Sequence, residues 1–293
     1  MANRNLPFRI LRFLGKPTSQ KVESIRFRWR SLFPVARPTS FTLPFGAKWV
    51  AEGSALDRTL QSGGFEKSEV NFVQQYLRSG MTVLDIGAHH GLYTLLASLR
   101  VGERGRVIAF EPSPRERVRL ERHIQLNGCA NVKVETLALG SENKQADLFL
   151  VEGSEDYCNS LRPPAVEGRT RAVKVEVISL DEYLSRNGVG KIDFIKLDTE
   201  GAERDVLRGA TDLLRSRPQP VVMSEIAEIR TAPWGYSAQE ILSFMEQLDY
   251  EWFSIEIDGS LQPMSPAQNI QDTNLVAVPK ERREQILRTV GSV

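Results

Sequence analysis

The chain reads as an α/β protein: a mostly parallel sheet of seven strands with helices on both faces, preceded by a basic N-terminal extension. Three observations predict this. From Met81 onward, short apolar strands alternate with amphipathic helices, a pattern that buries a parallel sheet between helical layers. The composition, 41% hydrophobic and 26% charged over 293 residues, is that of an ordinary globular protein. The first fifty residues hold ten Lys and Arg against Glu23 alone, while the whole chain carries a formal charge of +1, so a basic arm precedes an acidic body.

Residues 1–62 divide into an extension, where Ile25–Arg30 alternates apolar and basic side chains, and an irregular Gly- and Pro-rich lead-in over 41–65. The main domain spans 63–280, followed by a tail at 281–293. Val70, Phe72, Val73, Tyr76 and Leu77 recur at helical spacing, predicting a helix over 66–78 that Gly80 stops. Strands follow at 82–86, 106–110, 132–139, 192–197 and 220–225, with helices at 92–99, 114–126, 203–214 and 238–248. A β pair at 146–151 and 173–177 flanks a polar loop, and a final pair at 252–257 and 274–278 is joined through Asp258-Gly259. No apolar run is long enough to cross a bilayer, and the basic N-terminus lacks the apolar core and cleavage site of a secretory signal. Cys129 and Cys158 have no ligand-like spacing, which argues against a zinc cluster or a disulfide framework and suits a reducing cytosol.

The strongest motif is Val83-Leu84-Asp85-Ile86-Gly87-Ala88-His89-His90-Gly91, which leaves a strand and opens a helix. Its glycines permit a tight turn, and the helix N-terminus presents free N–H groups to an anion. The spacing Gly-x-x-x-Gly lacks the third glycine of a dinucleotide loop. It suits the carboxylate of an amino-acid tail, such as that of S-adenosylmethionine, better than a pyrophosphate. Asp85 ends the strand, where a carboxylate can face an ammonium group or order the loop. Glu111 ends the next strand, about 20 residues past the glycines, where an acid can accept both hydroxyls of a ribose. Pro112 and Pro114 then fit a helix start.

Asp85-Ile86-Gly87-Ala88, Phe110-Glu111-Pro112-Ser113 and Ile195-Lys196-Leu197-Asp198-Thr199-Glu200-Gly201-Ala202-Glu203 resemble the FkbM-type methyltransferases, over roughly 63–226. The resemblance implies a Rossmann-like class I methyltransferase fold and S-adenosylmethionine-dependent methylation of hydroxyl groups, often on sugars or polyketide-like products. It places Asp85, Gly87, Ala88, Gly91, Glu111 and Pro112 at the cofactor and an adenine ring beside Ala138-Leu139. His90 stands where the family more often has a small or polar residue.

Methyl transfer to an alcohol needs an aligned nucleophile and a group that takes or polarises its proton. Lys196 and Asp198, two apart on a strand, share a face. A lysine in a central strand demands a partner. The fifth strand ends at Glu225, and neighbouring strands lie about 4.8 Å apart, so Asp198 and Glu225 are expected to converge. Asp198 is the expected base or orienting group, with Lys196 tuning it and Glu225 completing the cluster. Glu203 reads as a first-turn helix residue. A divalent metal on Asp198, Glu200 and Glu225 is the alternative, with magnesium favoured by hard oxygen ligands.

His89 or His90 could serve as base instead, and His123 reads as a surface helix residue. The loop at 152–170, with Tyr157, Asn159 and Arg162, reads as an acceptor-binding lid, and Trp234 and Tyr236 are candidates to stack on a sugar. The expected partner is a small-molecule or glycan acceptor. Residues 4–37 suit an acidic membrane surface, and no nucleic-acid-binding module is visible. Two other classes share this fold: a nicotinamide-dependent oxidoreductase, disfavoured by the missing glycine and absent Tyr-x-x-x-Lys pair, and a non-catalytic module, disfavoured by the intact Asp85, Gly87, Gly91 and Glu111 set.

Overall fold

The computed structural model describes residues 39–152, 158–163, 169–264 and 273–291. The basic stretch 4–37 and Tyr157 lie outside the described residues. Along the central sheet the strands in chain order are β3 (Thr82–Ile86), β4 (Arg106–Phe110), β5 (Val132–Glu135), β9 (Phe194–Leu197), β10 (Val221–Ile226), β11 (Tyr250–Ile255), β12 (Leu261–Pro263) and β13 (Thr273–Pro279). Before them runs a hairpin, β1 (Thr39–Thr42) with β2 (Lys48–Ala51). Between β5 and β9 come β6 (Ala138–Leu139), β7 (Lys144–Glu152) and β8 (Arg169–Ile178).

The central sheet has the order β12-β11-β13-β10-β9-β3-β4-β5. From β10 to β5 every neighbour is parallel, and β13, β11 and β12 add on antiparallel. The expected α/β architecture is present, with eight strands in the sheet rather than seven. The extra strand arises because Asp258-Gly259 turns β11 back into the short edge strand β12 instead of leading directly to β13.

Side chains alternate across the sheet as the period of two requires. Leu84, Ile86, Ile108, Phe110, Ile195, Leu197 and Val222 bury on one face, and Val83, Val107, Phe194, Val221 and Met223 on the other. The first face is covered by α5 (Leu180–Asn187), α6 (Glu203–Arg208), α7 (Thr211–Arg215) and α9 (Ala238–Glu246); the second by α2 (Lys67–Tyr76), α3 (Leu92–Val101) and α10 (Arg283–Val290). The remaining helices are α1 (Ala55–Gln61), α4 (Pro114–Asn127) and the single turn α8 (Glu228–Thr231). Helix α4 ends with Gly128 in the left-handed conformation, the stop its Asn-Gly pair predicts.

Four expectations are corrected. The lead-in is not irregular: Ser54 and Asp57 form a reciprocal capping box that starts α1, and Leu43 and Trp49 are buried. The strand expected over 132–139 splits, because Ala138-Leu139 leaves the central sheet to pair with β8 in a separate sheet of order β6-β8-β7. The helix expected over 203–214 breaks at Gly209, which passes so close to the Gly140 carbonyl that a Cβ would lie 2.0 Å from it. The expected tail carries α10, which buries Ile286 and Val290.

Candidate active site

A cavity of about 490 Å³ opens at the carboxyl ends of β3, β4, β9 and β10, the place where parallel sheets bind ligands. Gly87, Glu111, Pro112, Ala138, Asp198, Glu200 and Glu225 all line it. Asp85, Ala88 and Gly91 do not; they build the loop from behind.

Each of the three has a structural reason. Asp85 is 2% exposed and accepts a hydrogen bond from the Thr94 hydroxyl in the first turn of α3, so it ties strand to helix. Burial lifts its carboxyl to about 6. Ala88 packs against Ala109 and Leu120. Gly91 has φ +92°, and a Cβ there would sit 2.5 Å from Leu120 of α4. Gly87 is at φ +82°, and a Cβ would lie 1.7 Å from the Asp198 carbonyl. The glycine spacing therefore serves the crossing of the loop under β9 and over α4, as well as any ligand.

Glu111 is 6% exposed and receives two backbone hydrogen bonds, from His89 N–H at 2.7 Å and Ser113 N–H at 2.8 Å. These orient both carboxylate oxygens and leave each a further lone pair toward the cavity. Burial pushes the carboxyl up to about 8. Beside it Phe110, Pro112, Leu137, Ala138 and Leu139 form an apolar wall.

Opposite lies the charged centre. Lys196 is 1% exposed and donates to Asp198 Oδ2 and to Asn274 Oδ1, each at 3.1 Å, with the Tyr93 ring 5.3 Å away. Burial disfavours its charge, but the Asp198 carboxylate first, then Glu66, outweigh burial and keep it protonated. Register brings in Glu225: Ser224 pairs with Leu197, so the next residues, Glu225 and Asp198, stand side by side. One carboxylate oxygen each of Asp198, Glu200 and Glu225 lies within 4.8 Å of the others. The Asp198 carboxylate, followed by burial, pushes Glu225 up to about 10. Burial also opposes ionisation of Asp198, but Lys196 and a hydrogen bond from Glu225 hold its carboxyl low. The cluster thus pairs an ionised Asp198 with a protonated Glu225. Glu200, at φ +53°, pairs with Arg230 at 3.1 Å.

Several participants were not legible beforehand. Leu56, Thr59, Phe65 and Glu66, from the presumed lead-in and its edge, wall the cavity. Glu66 accepts a hydrogen bond from the Tyr93 hydroxyl at 2.5 Å, joining the Lys196 network from the opposite side. Asn274 carried no signal beyond its place in a strand. His123 is corrected from surface to core, being fully buried. Glu203 is structural, as expected: it accepts from Thr199 N–H at 2.8 Å and Thr199 Oγ1 at 2.9 Å, closing the loop after β9.

His89 lines the cavity, but burial pushes its imidazole down to about 4, and His90 is pushed lower still, so both are neutral near pH 7. Their rings approach the buried Glu116, whose carboxylate is already taken by Ser113 Oγ and Arg115. At the mouth, Asn159, Ser160 and Leu161 line the cavity, and Ser160 Oγ donates to the Glu200 carbonyl at 2.9 Å. The Arg162 guanidinium lies 4.9 Å from the Trp234 ring. Tyr236 is buried with its hydroxyl on the Gly201 carbonyl, so it packs rather than faces a ligand.

Among the described residues no helix is long and apolar enough to cross a membrane. The family model described as "Methyltransferase FkbM domain" matches residues 85–252. Curated relatives include the AMB antimetabolite synthetase AmbE of Pseudomonas aeruginosa, 26% identical over 74% of this chain and 12% of its own length. Methyltransferase 1 of Beauveria bassiana is 28% identical over 44% of this chain and 58% of its own. The hexuronic acid methyltransferase AglP of Haloferax volcanii is 30% identical over 45% and 51%. The chain spans 58% or less of each of these relatives. A solved methyltransferase FkbM from Methylobacillus flagellatus is 18% identical with a TM-score of 0.46, covering 72% of this chain and 48% of that one. With its glycine loop, strand-end glutamate and post-β9 loop all inside a family match that spans more than half of its length, this chain belongs to the FkbM methyltransferase family.

Proposed function

We propose that the protein transfers a methyl group from S-adenosylmethionine to a hydroxyl of a sugar, glycolipid or secondary metabolite. The observation that carries this reading is one cavity with a donor half and an acceptor half. The donor half has an apolar wall at 137–139 for a purine, the oriented Glu111 carboxylate for the pentose hydroxyls, and the loop before α3 for an amino-acid carboxylate. The acceptor half has Asp198, Glu225 and Arg230, with Asn159 and Ser160 at the rim.

The donor supplies an activated methyl carbon when bound. The chain's residues hold the acceptor oxygen in line with it and exclude water. Asp198, anchored by Lys196, accepts the hydrogen bond of the acceptor hydroxyl. As the oxygen–carbon bond forms and the carbon–sulfur pair returns to sulfur, the hydroxyl proton passes to the Asp198 carboxylate. A carboxylate held at low pKa is a weak base, so the larger contribution assigned to Asp198 is orientation. Glu225, already protonated, keeps the Asp198 lone pairs directed.

Lys196 and Arg230 already neutralise charge in the Asp198, Glu200 and Glu225 cluster, which favours a metal-free reaction over magnesium. A relative with the printed name hexuronic acid methyltransferase supports a saccharide acceptor, and one named 2-O-methyltransferase supports transfer to an oxygen. Residues 4–37 suit attachment to an acidic surface bearing such an acceptor; deleting 1–37 should lower membrane recovery without lowering donor affinity.

Calorimetry with S-adenosylmethionine and NADH tests the donor, and a cell extract supplied with labelled donor tests the acceptor. Binding of S-adenosylmethionine alone, and label on a hydroxyl, are expected. Asp198→Asn should abolish labelling while leaving donor binding nearly intact. Loss of donor binding in that variant would move Asp198 to the cofactor side.

A further inference from the structure

The cofactor loop is tied to the N-terminal hairpin by one buried imidazole. His123 projects from α4 and is fully buried. Its Nε2 accepts a hydrogen bond from Val50 N–H at 3.1 Å, on β2. The proton therefore resides on Nδ1, which donates to the His90 carbonyl at 2.7 Å. Trp49 stacks on the ring with centroids 4.0 Å apart, and its own Nε1–H donates to Asp57 at 2.9 Å. Asp57 also pairs with Arg119, one turn before His123 on α4, at 3.1 Å. Burial disfavours the charged imidazole, in keeping with the acceptor role of Nε2.

The carbonyl that His123 holds is no ordinary one. The peptide unit joining His90 to Gly91 is gripped at both ends: its oxygen by His123, its N–H by the Ala88 carbonyl at 2.8 Å. That unit lies between His89 at φ +49° and Gly91 at φ +92°, two residues in the sparsely populated left-handed region. Rotation of this peptide would redirect the free N–H groups at the start of α3.

We propose that His123 is a positioning residue for the methyl donor, holding in shape the 87–91 loop whose cavity-lining residues Gly87 and His89 receive the donor's amino-acid tail, with the hairpin at 39–51 as its outer support. This rests on the assignment of that tail to the 87–91 loop. It extends the site beyond the family match, since Trp49 and Val50 precede residue 85.

Calorimetry with two probes tests it: S-adenosylmethionine, which has the tail, and 5′-methylthioadenosine, which has the purine and pentose without it. His123→Ala should weaken S-adenosylmethionine by about tenfold, the equivalent of one buried hydrogen bond, and leave 5′-methylthioadenosine within about twofold. His123→Asn, whose amide can occupy the place of Nδ1, should restore the tail-dependent affinity, whereas His123→Gln, which reaches only toward Val50, should not. Equal losses for both probes would mean general destabilisation and overturn the proposal. So would unchanged affinity in His123→Ala, or failure of His123→Asn to restore binding. If the unaltered protein bound neither probe, the donor assignment itself would fall, a result distinct from any of these.

Discussion

At the scale of single residues, two carboxyl groups work in opposite states. Glu111 sits in a dry wall that lifts it to about 8, yet hydroxyl donors of a pentose bind its ionised form better. Below pH 8 donor binding must therefore expel a proton. Donor affinity is expected to rise with pH by up to about tenfold per unit until pH 8 and then level off, with Glu111→Gln weaker and flat across the range. A pH series of calorimetric titrations reads this directly, and an unchanged slope in Glu111→Gln would reassign the proton. Asp198 is the counterpart, ionised because Lys196 is locked beside it. Since Lys196 and Arg230 already supply the cationic charge, labelling activity is expected to persist in excess chelator. Complete loss that magnesium restores would instead place a metal on Asp198, Glu200 and Glu225. The identities of Asp85, Glu111, Lys196 and Asp198 were legible because strand ends in a parallel sheet have predictable faces. Glu66 and Asn274 were not, because nothing local marks a residue that meets Lys196 from a distant segment.

At the scale of elements, the glycines show what a motif does and does not reveal. A turn was predictable at Gly87; its closest neighbour was not. A methyl group there would collide with backbone, 1.7 Å from the Asp198 carbonyl. Gly46, in the β1–β2 turn at φ +99°, has nothing within 4 Å of the corresponding position. Gly46→Ala should cost about 1–2 kcal/mol, the penalty for a left-handed L-residue, while Gly87→Ala should exceed about 3 kcal/mol by adding a steric clash to it. Urea denaturation of the two variants separates them; similar midpoints would show that the loop can move away from β9. Helices α2, α3 and α4 were legible from their apolar spacing and stop signals. The hairpin and α1 were not, because each is short and its apolar residues find partners on distant segments, as Trp49 does on His123.

For the whole molecule, the balance of buried titratable groups sets how stability varies with pH. Glu111 and Glu225 are raised to about 8 and about 10 in the folded protein. A carboxyl raised on folding binds more protons in the native state than in the unfolded one, so its contribution falls as pH climbs through that window. The buried histidines are depressed, with His89 at about 4; they favour folding less as pH drops below their unfolded value near 6.5 and are silent above it. Above pH 6.5 the carboxyls alone remain, so stability should decline by roughly 1 kcal/mol per pH unit or more toward pH 8, and more gently to pH 10. Urea midpoints at pH 6.5, 8 and 9.5 check this. Glu225→Gln should flatten the upper part, and a rising midpoint would contradict the assigned protonation states.

The sequence by itself determined the layered α/β plan, the places of the parallel strands along the chain and the strand-end acids. Hydrophobic periodicity and helix-stop residues are local, and the two-residue alternation of a strand decides which side chains share a face. Only the tertiary structure decided which glycines serve packing, that Asp258-Gly259 opens an eighth strand, that Ala138-Leu139 joins another sheet, and that His123 lies in the core beneath the cofactor loop. Those outcomes depend on contacts between segments far apart in the chain, such as Val50 with His123 or Glu66 with Tyr93, and no local pattern carries the position of a distant partner.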